Sequence, residues 1–468
     1  MFTASRVRLL IVTCIALFMA MLDNLVIGVA LPSIQQDLNA SLSDLEWFMN
    51  AYTLAFAVLL IPFSVLGESI GRKKVFLAGV VVFSLGSLLC GLSESSLALI
   101  LSRALQGIGG AAIVPLSLTL VNTAFPPRYR PAAIGLWSGI SGLGLSVGPL
   151  VGGLIMEGAP WQTIFFVNVP IGVLAFLFGL KWLSESKGVR KPLDPAGVLL
   201  LVAGLFGLIF GMERGNSEGW GSPVVLGSLA VGALLLVLFY FWERTRRNPF
   251  VRFELFRSRA YFFYTFAGFW MNAGVFGAIF LLTLFLQQAQ GFTPLQAGVR
   301  EMAWTTMTMI AAPLAGIAIA RLGNRNVLLA GLLLQTAALA WFALLIRARG
   351  FEFPFLEMLG PMMLAGTGMG LSFTPLSHGL ISSAPEDAAG EASGVGNATR
   401  ELGGVFGIAI GGLIFRAGPA IRTPQDFADH IVPSLGAGSL MMALALAGIA
   451  LFVRGQTRVN AAPGAAQA

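Results

Sequence analysis

The stretch ESIGRKKVFLAG, residues 68–79, occurs a second time in the chain as ARLGNRNVLLAG, residues 320–331. The two segments align without gaps. A second matching pair, GPLVGGLI (148–155) and GIAIGGLI (407–414), lies at nearly the same separation. Collinear matches of this kind are typical of an internal duplication. The sequence therefore predicts two homologous halves.

Both halves are predicted to lie in a membrane. Of the 468 residues, 56% are hydrophobic and 11% are charged, whereas a soluble domain carries about 25% charged residues. Fourteen apolar runs reach the length of about 20 residues that a helix needs to cross a bilayer. The predicted fold class is an all-α integral membrane protein with fourteen transmembrane helices: two six-helix bundles plus an inserted helix pair.

The repeat divides the chain because helices 1–6 correspond to helices 9–14, while helices 7 and 8 have no counterpart. The predicted organisation is an N-terminal six-helix bundle at 1–190, an inserted transmembrane pair at 191–243, a cytoplasmic linker at 244–260, a C-terminal six-helix bundle at 261–456 and a cytoplasmic tail at 457–468. Parallel bundles of this kind rock about a site between them and open it to each side in turn. That arrangement indicates a transporter.

The loop charges predict the orientation. Most of the 29 Lys and Arg residues fall in loops on the side of the N-terminus, and an excess of positive charge marks the cytoplasmic side. We expect a multi-pass protein of the plasma (inner) membrane with both termini in the cytoplasm. The net charge of +7 then reflects topology. The expected partners are small-molecule substrates, protons and the lipid bilayer, with no nucleic acid, and the expected functional unit is a monomer.

Several short patterns match motifs of other classes of protein, but the sequence around them does not provide the structural context that those motifs require. GLSVG (144–148) matches a serine-hydrolase motif that requires a strand-to-helix turn. GIGGAA (107–112) resembles a dinucleotide loop but follows no predicted strand. His378 and His430 have no cysteine cluster beside them, so no metal site is expected. The sequence predicts neither an enzyme nor a cofactor, and a channel or a membrane enzyme is the alternative from a different class.

Three ionisable residues in predicted membrane helices are candidates for proton coupling. Asp23 interrupts FMAMLDNLVIGVALP (18–32), Arg103 lies in helix 4 and Glu301 lies in helix 10. Such residues are energetically costly inside a membrane and usually functional. The second half has no equivalent of Asp23 and Arg103, which favours a role in proton exchange. The alternative is a structural ion pair of the two residues or a helix-packing hydrogen bond of Asp23. Glu301 either faces the central cavity or pairs with the adjacent Arg300.

Glycines recur at every fourth position in helices 5 and 13, which places them on one helix face. Small residues at this spacing let two membrane helices approach closely. The functional interpretation is a smooth seam along which the two halves move, and the alternative is static packing. These residues are Gly144, Gly148 and Gly152 of helix 5, where Pro149 is expected to bend the helix, and Gly403, Gly407 and Gly411 of helix 13.

Taken together, the motifs resemble the major facilitator superfamily, and specifically its fourteen-helix drug:proton antiporters of the multidrug efflux type. The resemblance runs from Leu22 to about Phe415. This sequence departs from the family pattern at Ser64, Glu68, Glu301 and Glu401. The segments that carry the resemblance are LDNLVIGVALPSI (22–34), GESIGRKK (67–74), SRALQGIGGAAIVP (102–115), GPLVGG (148–153), WQTIFFVNVPIG (161–172) and AGEASGVGNATRELGGVFGIAIGG (389–412).

The resemblance implies a proton-coupled multidrug efflux transporter that exports amphiphilic or cationic compounds by alternating access. Asp23 occupies the family's acidic position and Arg103 its helix 4 arginine, so this pair is expected to couple transport to protons, with Glu301 as a second candidate. A dedicated proton-coupled exporter of a single metabolite is the alternative function. The residues expected to act in gating, besides the glycines and Pro149 of helix 5, are Glu68, Gly71, Arg72 and Arg400.

The substrate cavity is expected to be aromatic and rich in methionine. Aromatic faces attract cations, and methionine adapts to varied shapes. The candidate substrate-binding residues are Asn24, Trp270, Met271, Phe276, Trp304, Met307 and Phe373.

Overall fold

A computed structural model describes residues 3–126, 130–187, 194–246, 249, 252–385 and 389–453, and within these ranges it contains helices and no strand. A 3₁₀ helix covers Phe253–Arg257, and a π-helical turn at Phe285–Ala289 extends the tenth α-helix. The α-helices are α1 (Ala4–Leu38), α2 (Leu42–Ile70), α3 (Arg72–Gly91), α4 (Ser96–Ala124), α5 (Arg130–Gly158), α6 (Thr163–Phe166), α7 (Asn168–Trp182), α8 (Pro195–Glu218), α9 (Pro223–Thr245), α10 (Arg259–Leu284), α11 (Pro294–Leu322), α12 (Asn324–Arg349), α13 (Phe355–Ser382), α14 (Ala389–Arg416) and α15 (Pro424–Phe452).

The described helices confirm an all-helical membrane fold but not the count of fourteen spans. Eleven helical segments are long and apolar enough to cross a membrane, and α6 and α7 together make one of them. The count is twelve if α2 is one span, since α2 bends by 48° between its pieces Leu42–Leu60 and Pro62–Ile70. A proline inside a helix explains such a bend because it removes a backbone donor. α5 and α13 fall outside the count, and in α13 frequent glycines lower the mean hydropathy.

The same helix pairs pack in both halves. α3 packs on α4 as α12 packs on α13, α2 packs on α4 as α11 packs on α13, and α1 packs on α5 as α10 packs on α14. The packing therefore follows the internal duplication. The inserted helices α8 and α9 pack mainly on each other. The predicted domain boundaries stay a prediction, and those at 190/191 and 456/457 lie outside the described residues.

The two halves meet along two seams, α5 against α11 and α2 against α14. The second seam is covered from the side by α8, whose Leu205 and Ile209 cluster with Leu54 and Val58 of α2 and with Val405 of α14. Below, the near face is the end of the bundle at which α1 begins, and the far face is the opposite end.

At the far face, three helix starts are fixed by capping boxes. In each, a Ser or Thr side chain accepts from a backbone N–H three residues on, and the side chain of that residue accepts from the cap's own N–H. This double hydrogen bond satisfies donors that a helix start otherwise leaves free. The pairs are Ser41 with Asp44 in α2, Thr293 with Gln296 in α11 and Thr423 with Asp426 in α15.

Candidate functional site

Five polar side chains from four helices form one buried cluster inside the N-terminal half, called the Asp23 cluster below. Asp23 Oδ2 accepts from Arg103 Nη1 at 2.5 Å, and Asp23 Oδ1 accepts from Gln106 Nε2 at 2.7 Å and from Asn168 Nδ2 at 2.8 Å. Ser87 Oγ accepts from Gln106 Nε2 at 2.6 Å. The structure thus brings together the two residues that the sequence predicts as a pair.

The charges of the Asp23 cluster are compensated within their own half. Asp23 is 0% exposed and Arg103 is 1% exposed. Arg103 also donates from Nε to the carbonyl of Phe48 at 3.0 Å, and its guanidinium lies 4.5 Å from the ring centroid of Tyr52. Buried charges need this density of partners because they have lost their hydration. The cluster is buried, and none of its five side chains belongs to the described lining of the cavity between the halves.

An apolar cavity lies where the two halves meet. Of the described side chains that line it, one is charged, the carboxylate of Glu301. Five helices, α1 and α2 of the N-terminal half and α10, α11 and α13 of the C-terminal half, line the cavity around that carboxylate, and α5 adds Pro149. The lining consists of Leu25, Gly28, Met49 and Pro149 from the N-terminal half and Ile279, Phe280, Leu282, Thr283, Glu301, Trp304, Thr305 and Met362 from the C-terminal half.

Glu301 faces this cavity and does not pair with its neighbour Arg300. Glu301 Oε1 accepts from Thr283 Oγ1 of α10 at 2.5 Å. The Arg300 guanidinium turns to the ring of Phe292, 3.7 Å from its centroid. In the described part of the chain, Glu301 has no ion pair with a Lys or Arg side chain. The cavity-facing alternative of the two predicted for Glu301 is the one the structure shows.

The other predicted substrate-binding residues are spread through the molecule. Trp304 lines the cavity, and its Nε1 donates to Met369 Sδ at 3.4 Å. Met271 is fully buried in a core cluster against which Trp270 and Phe373 pack. Their role in substrate binding stays a prediction. The candidates outside the described cavity lining are Asn24, Trp270, Met271, Phe276, Met307 and Phe373.

The glycine stripes pack helices within each half, as the static-packing alternative expects, and their role in the movement of the halves stays a prediction. A Cβ added to Gly148 of α5 would lie 3.2 Å from the carbonyl oxygen of Leu22 on α1. The stripe of α14 lies in the same way against the backbone of α10. The contact between the halves uses neighbouring positions, where Gly298 of α11 abuts the backbone of Pro149. The stripe residues so placed are Gly144, Gly148, Gly152, Gly403, Gly407 and Gly411.

The loop GESIGRKK forms a compact charged turn at the near face. Arg72 binds Glu68 at two points, 2.9 Å from Nε and 2.6 Å from Nη2. Gly71 has a φ of 132°, which side-chain-bearing residues rarely adopt. Glu185, which the sequence analysis did not single out, accepts from the backbone N–H of Lys73 at 3.0 Å and fills the space beside Gly71. A carboxylate at the amino end of α3 is stabilised by the helix dipole.

Arg400, the remaining gating candidate, lies on α14 inside the C-terminal half. Its Nη2 is 3.2 Å from Glu401 Oε1, and its guanidinium lies 4.9 Å from the ring centroid of Phe373.

Two residues of the Asp23 cluster were not predicted from the sequence. Gln106 follows Arg103 by three positions and so shares its helix face. Asn168 is an isolated amide in an apolar segment. Polar residues in otherwise apolar helices were the signal for both.

Comparison with known proteins agrees with this architecture. Residues 13–408 match the model of the Major Facilitator Superfamily. The chain is 34% identical over 429 residues to the tetracenomycin C resistance and export protein of Streptomyces glaucescens, covering 91% of this chain and 79% of the relative. It is 34% identical over 410 residues to the multidrug resistance protein Stp of Mycobacterium tuberculosis, covering 87% and 75%. It is 31% identical over 414 residues to the methylenomycin A resistance protein of Bacillus subtilis, covering 88% of each.

Proposed function

Because the chain belongs to the Major Facilitator Superfamily, a family of transporters rather than enzymes, we propose that it is a proton-coupled exporter of amphiphilic or cationic drug-like compounds. The observation that carries this proposal is the cavity between the halves, with apolar walls and one carboxylate. The names of the relatives, which are resistance and export proteins, support the direction of transport.

The cavity suits a compound with an apolar body and one positive charge. Met49, Met362 and Trp304 offer polarisable and aromatic surfaces, which adapt to different shapes and attract cations. Glu301 supplies the opposite charge. A carboxylate binds either a proton or a cation, so the two compete for Glu301. If the bound proton favours the cavity open to one side of the membrane and the bound cation favours it open to the other side, the proton gradient drives export.

We propose that Asp23 and Arg103 form a second proton-coupling site, at which proton binding is linked to the movement of the two halves. Three hydrogen bonds hold the Asp23 carboxylate, so a proton reaches it only when α1 and α4 shift relative to each other. Glu301, with a single described hydrogen bond, is the more accessible site for direct exchange. The near face is proposed to be cytoplasmic and the protein to reside in the plasma membrane, as the loop charges predict.

The test is drug-induced proton release from purified protein in weakly buffered detergent solution. Wild type is compared with Glu301→Gln and Asp23→Asn, which keep shape and hydrogen bonding but cannot ionise. We expect Glu301→Gln to abolish release on addition of a lipophilic cation. Release equal to wild type in both variants would refute proton coupling at these carboxylates.

A toxicity panel in a pump-deficient host separates the broad from the dedicated exporter. An apolar cavity with one charged group gives few directional contacts, which favours a broad substrate range. Protection against several unrelated lipophilic cations supports this prediction. Protection against a single compound would support the dedicated exporter.

A further inference from the structure

A further buried carboxylate, that of Glu46, joins the two halves at the far face. Glu46 of α2 is 0% exposed, and its Oε1 accepts from Arg416 Nη1 of α14 at 2.6 Å. Glu46 belongs to the N-terminal half, whereas Arg416 is the last residue of a helix of the C-terminal half. No part of the function proposed above uses this pair.

The α14 backbone is shaped to receive the Glu46 carboxylate. A Cβ placed on Gly412, one turn before Arg416, would overlap Glu46 Oε1. Glycine at this position therefore makes the notch in which the carboxylate lies. Arg416 at the carboxyl end of α14 is also stabilised by the helix dipole. A side chain of one half is thus seated in a recess of the other.

The pair is connected by one hydrogen bond, unlike the two-point pair of Glu68 and Arg72. Glu46 Oε2 and Arg416 Nη2 are both buried without a hydrogen-bond partner among the described residues. A single-point contact lacks the geometric rigidity of a bidentate one. The Glu46–Arg416 contact is therefore suited to repeated breaking and reforming.

The surrounding contacts close the same face. Gln287, in the π-helical turn after α10, donates to the carbonyl of Val29 on α1 at 2.9 Å. Gln288 donates to Gln35 Oε1 at 2.6 Å. Met49, which lines the cavity, lies one helical turn below Glu46. The far-face contacts between the halves therefore form a roof over the cavity.

We propose that Glu46 and Arg416 form an ionic lock that holds the far face of the interface closed, with Gly412 as its seat. When the halves separate at the far face, the Glu46 carboxylate and the Arg416 guanidinium become hydrated. Hydration then compensates each charge for the loss of the ion pair. Removing one charge in the closed state instead leaves either the fully buried Glu46 or the largely buried Arg416 without its ion pair, which is costly. Loss of either partner therefore favours the open far face. The lock concerns the movement of the halves and does not depend on which compound is exported.

The experiment measures how fast a membrane-impermeant maleimide labels a cysteine in the cavity. Leu25→Cys provides the reporter in a background in which Cys14 and Cys90 are replaced by serine and alanine. Right-side-out and inside-out vesicles are labelled without drug or proton gradient. We expect Glu46→Gln and Arg416→Met each to increase the rate from the far-face side about tenfold, within the range of about 5- to 150-fold typical of conformational coupling.

Two further variants test the recess and provide a control: Gly412→Ala and Arg349→Met. Gly412→Ala removes the seat but no charge, and we expect it to increase labelling as Glu46→Gln does. Arg349 lies 3.5 Å from Glu357, also at the far face but within the C-terminal half. Arg349→Met should leave the rate unchanged. The amount of inserted protein is measured by labelling after denaturation.

Unchanged rates in Glu46→Gln and Arg416→Met would overturn the lock, as would an equal increase in Arg349→Met. An increase seen in inside-out vesicles alone would keep the lock and overturn the proposed orientation. Since labelling requires no transport, an increase in a protein that exports no drug would keep the lock and refute the proposed function.

Discussion

Replacing Glu301 by Gln is the most direct test of how the cavity binds its substrate. The change removes one charge and preserves shape. A cation about 4 Å from a carboxylate is attracted by about 4 kcal/mol at an effective dielectric of 20. Desolvation of the two charges offsets part of this attraction. We therefore expect a net loss of about 1.4–2.8 kcal/mol, or an affinity about 10- to 100-fold lower.

Titration of purified protein with a fluorescent monovalent lipophilic cation measures this loss. For wild type, affinity should fall as the pH is lowered, because protons compete with the cation for Glu301. For Glu301→Gln, the weaker affinity should be independent of pH over the range in which wild type responds. Thr283→Val, which removes the hydroxyl that donates to Glu301, should cause a smaller loss.

A neutral compound of similar shape supplies the comparison, because the Glu301→Gln change should leave its affinity unaltered. Glu357→Gln, at the far-face end of α13, is the matched control for removal of a carboxylate. Equal losses for the cation and the neutral compound would show that the variant damages the cavity and would refute the electrostatic reasoning. A pH response that survives in Glu301→Gln would refute the assignment of the competing proton.

Three further predictions concern the scaffold. Arg103→Met should destabilise the protein by about 3–5 kcal/mol, because it leaves the buried Asp23 charge unpaired, and adding Asp23→Leu should recover much of the loss in thermal unfolding in detergent. Gly407→Ala should cost about 1–3 kcal/mol, since the methyl group overlaps the backbone of α10, whereas Gly436→Ala, which faces open space, should be neutral in the same assay. Glu185→Gln should lower the initial transport rate without reducing membrane insertion, measured in everted vesicles with matched protein amounts, because it weakens the contact with the start of α3.

The sequence could predict the contact between Asp23 and Arg103 because both signals are strong. Each is an ionisable residue in an apolar helix, and a charge in such surroundings requires a partner. The position of Glu301 was also open to prediction. Thr293 marks the start of α11 as a helix cap, so the depth of Glu301 follows from the rise of 1.5 Å per residue.

The facing of apolar residues could not be predicted in the same way. A membrane helix is apolar on the side toward lipid and on the side toward the protein, so hydrophobic periodicity does not separate them. The position of Met271 in a packed core cluster, and that of the Gly148 stripe against α1 in its own half, therefore could not be read from the sequence. The role of Glu46 could not be predicted, because Glu46 lies close to the start of α2. An acidic residue near a helix start is common and does not indicate a partner in the other half.

The position of α8 limits the routes by which a membrane-dissolved compound can reach the cavity. Along the seam of α2 and α14, α8 adds a third layer of apolar side chains between lipid and the interface. A compound that diffuses in the bilayer would have to displace that layer to enter from this flank. The seam of α5 and α11 has no such cover in the described residues. The inserted pair therefore shields one of the two seams from lipid and leaves the other without a described cover, so the two flanks of an internally duplicated protein differ toward the bilayer.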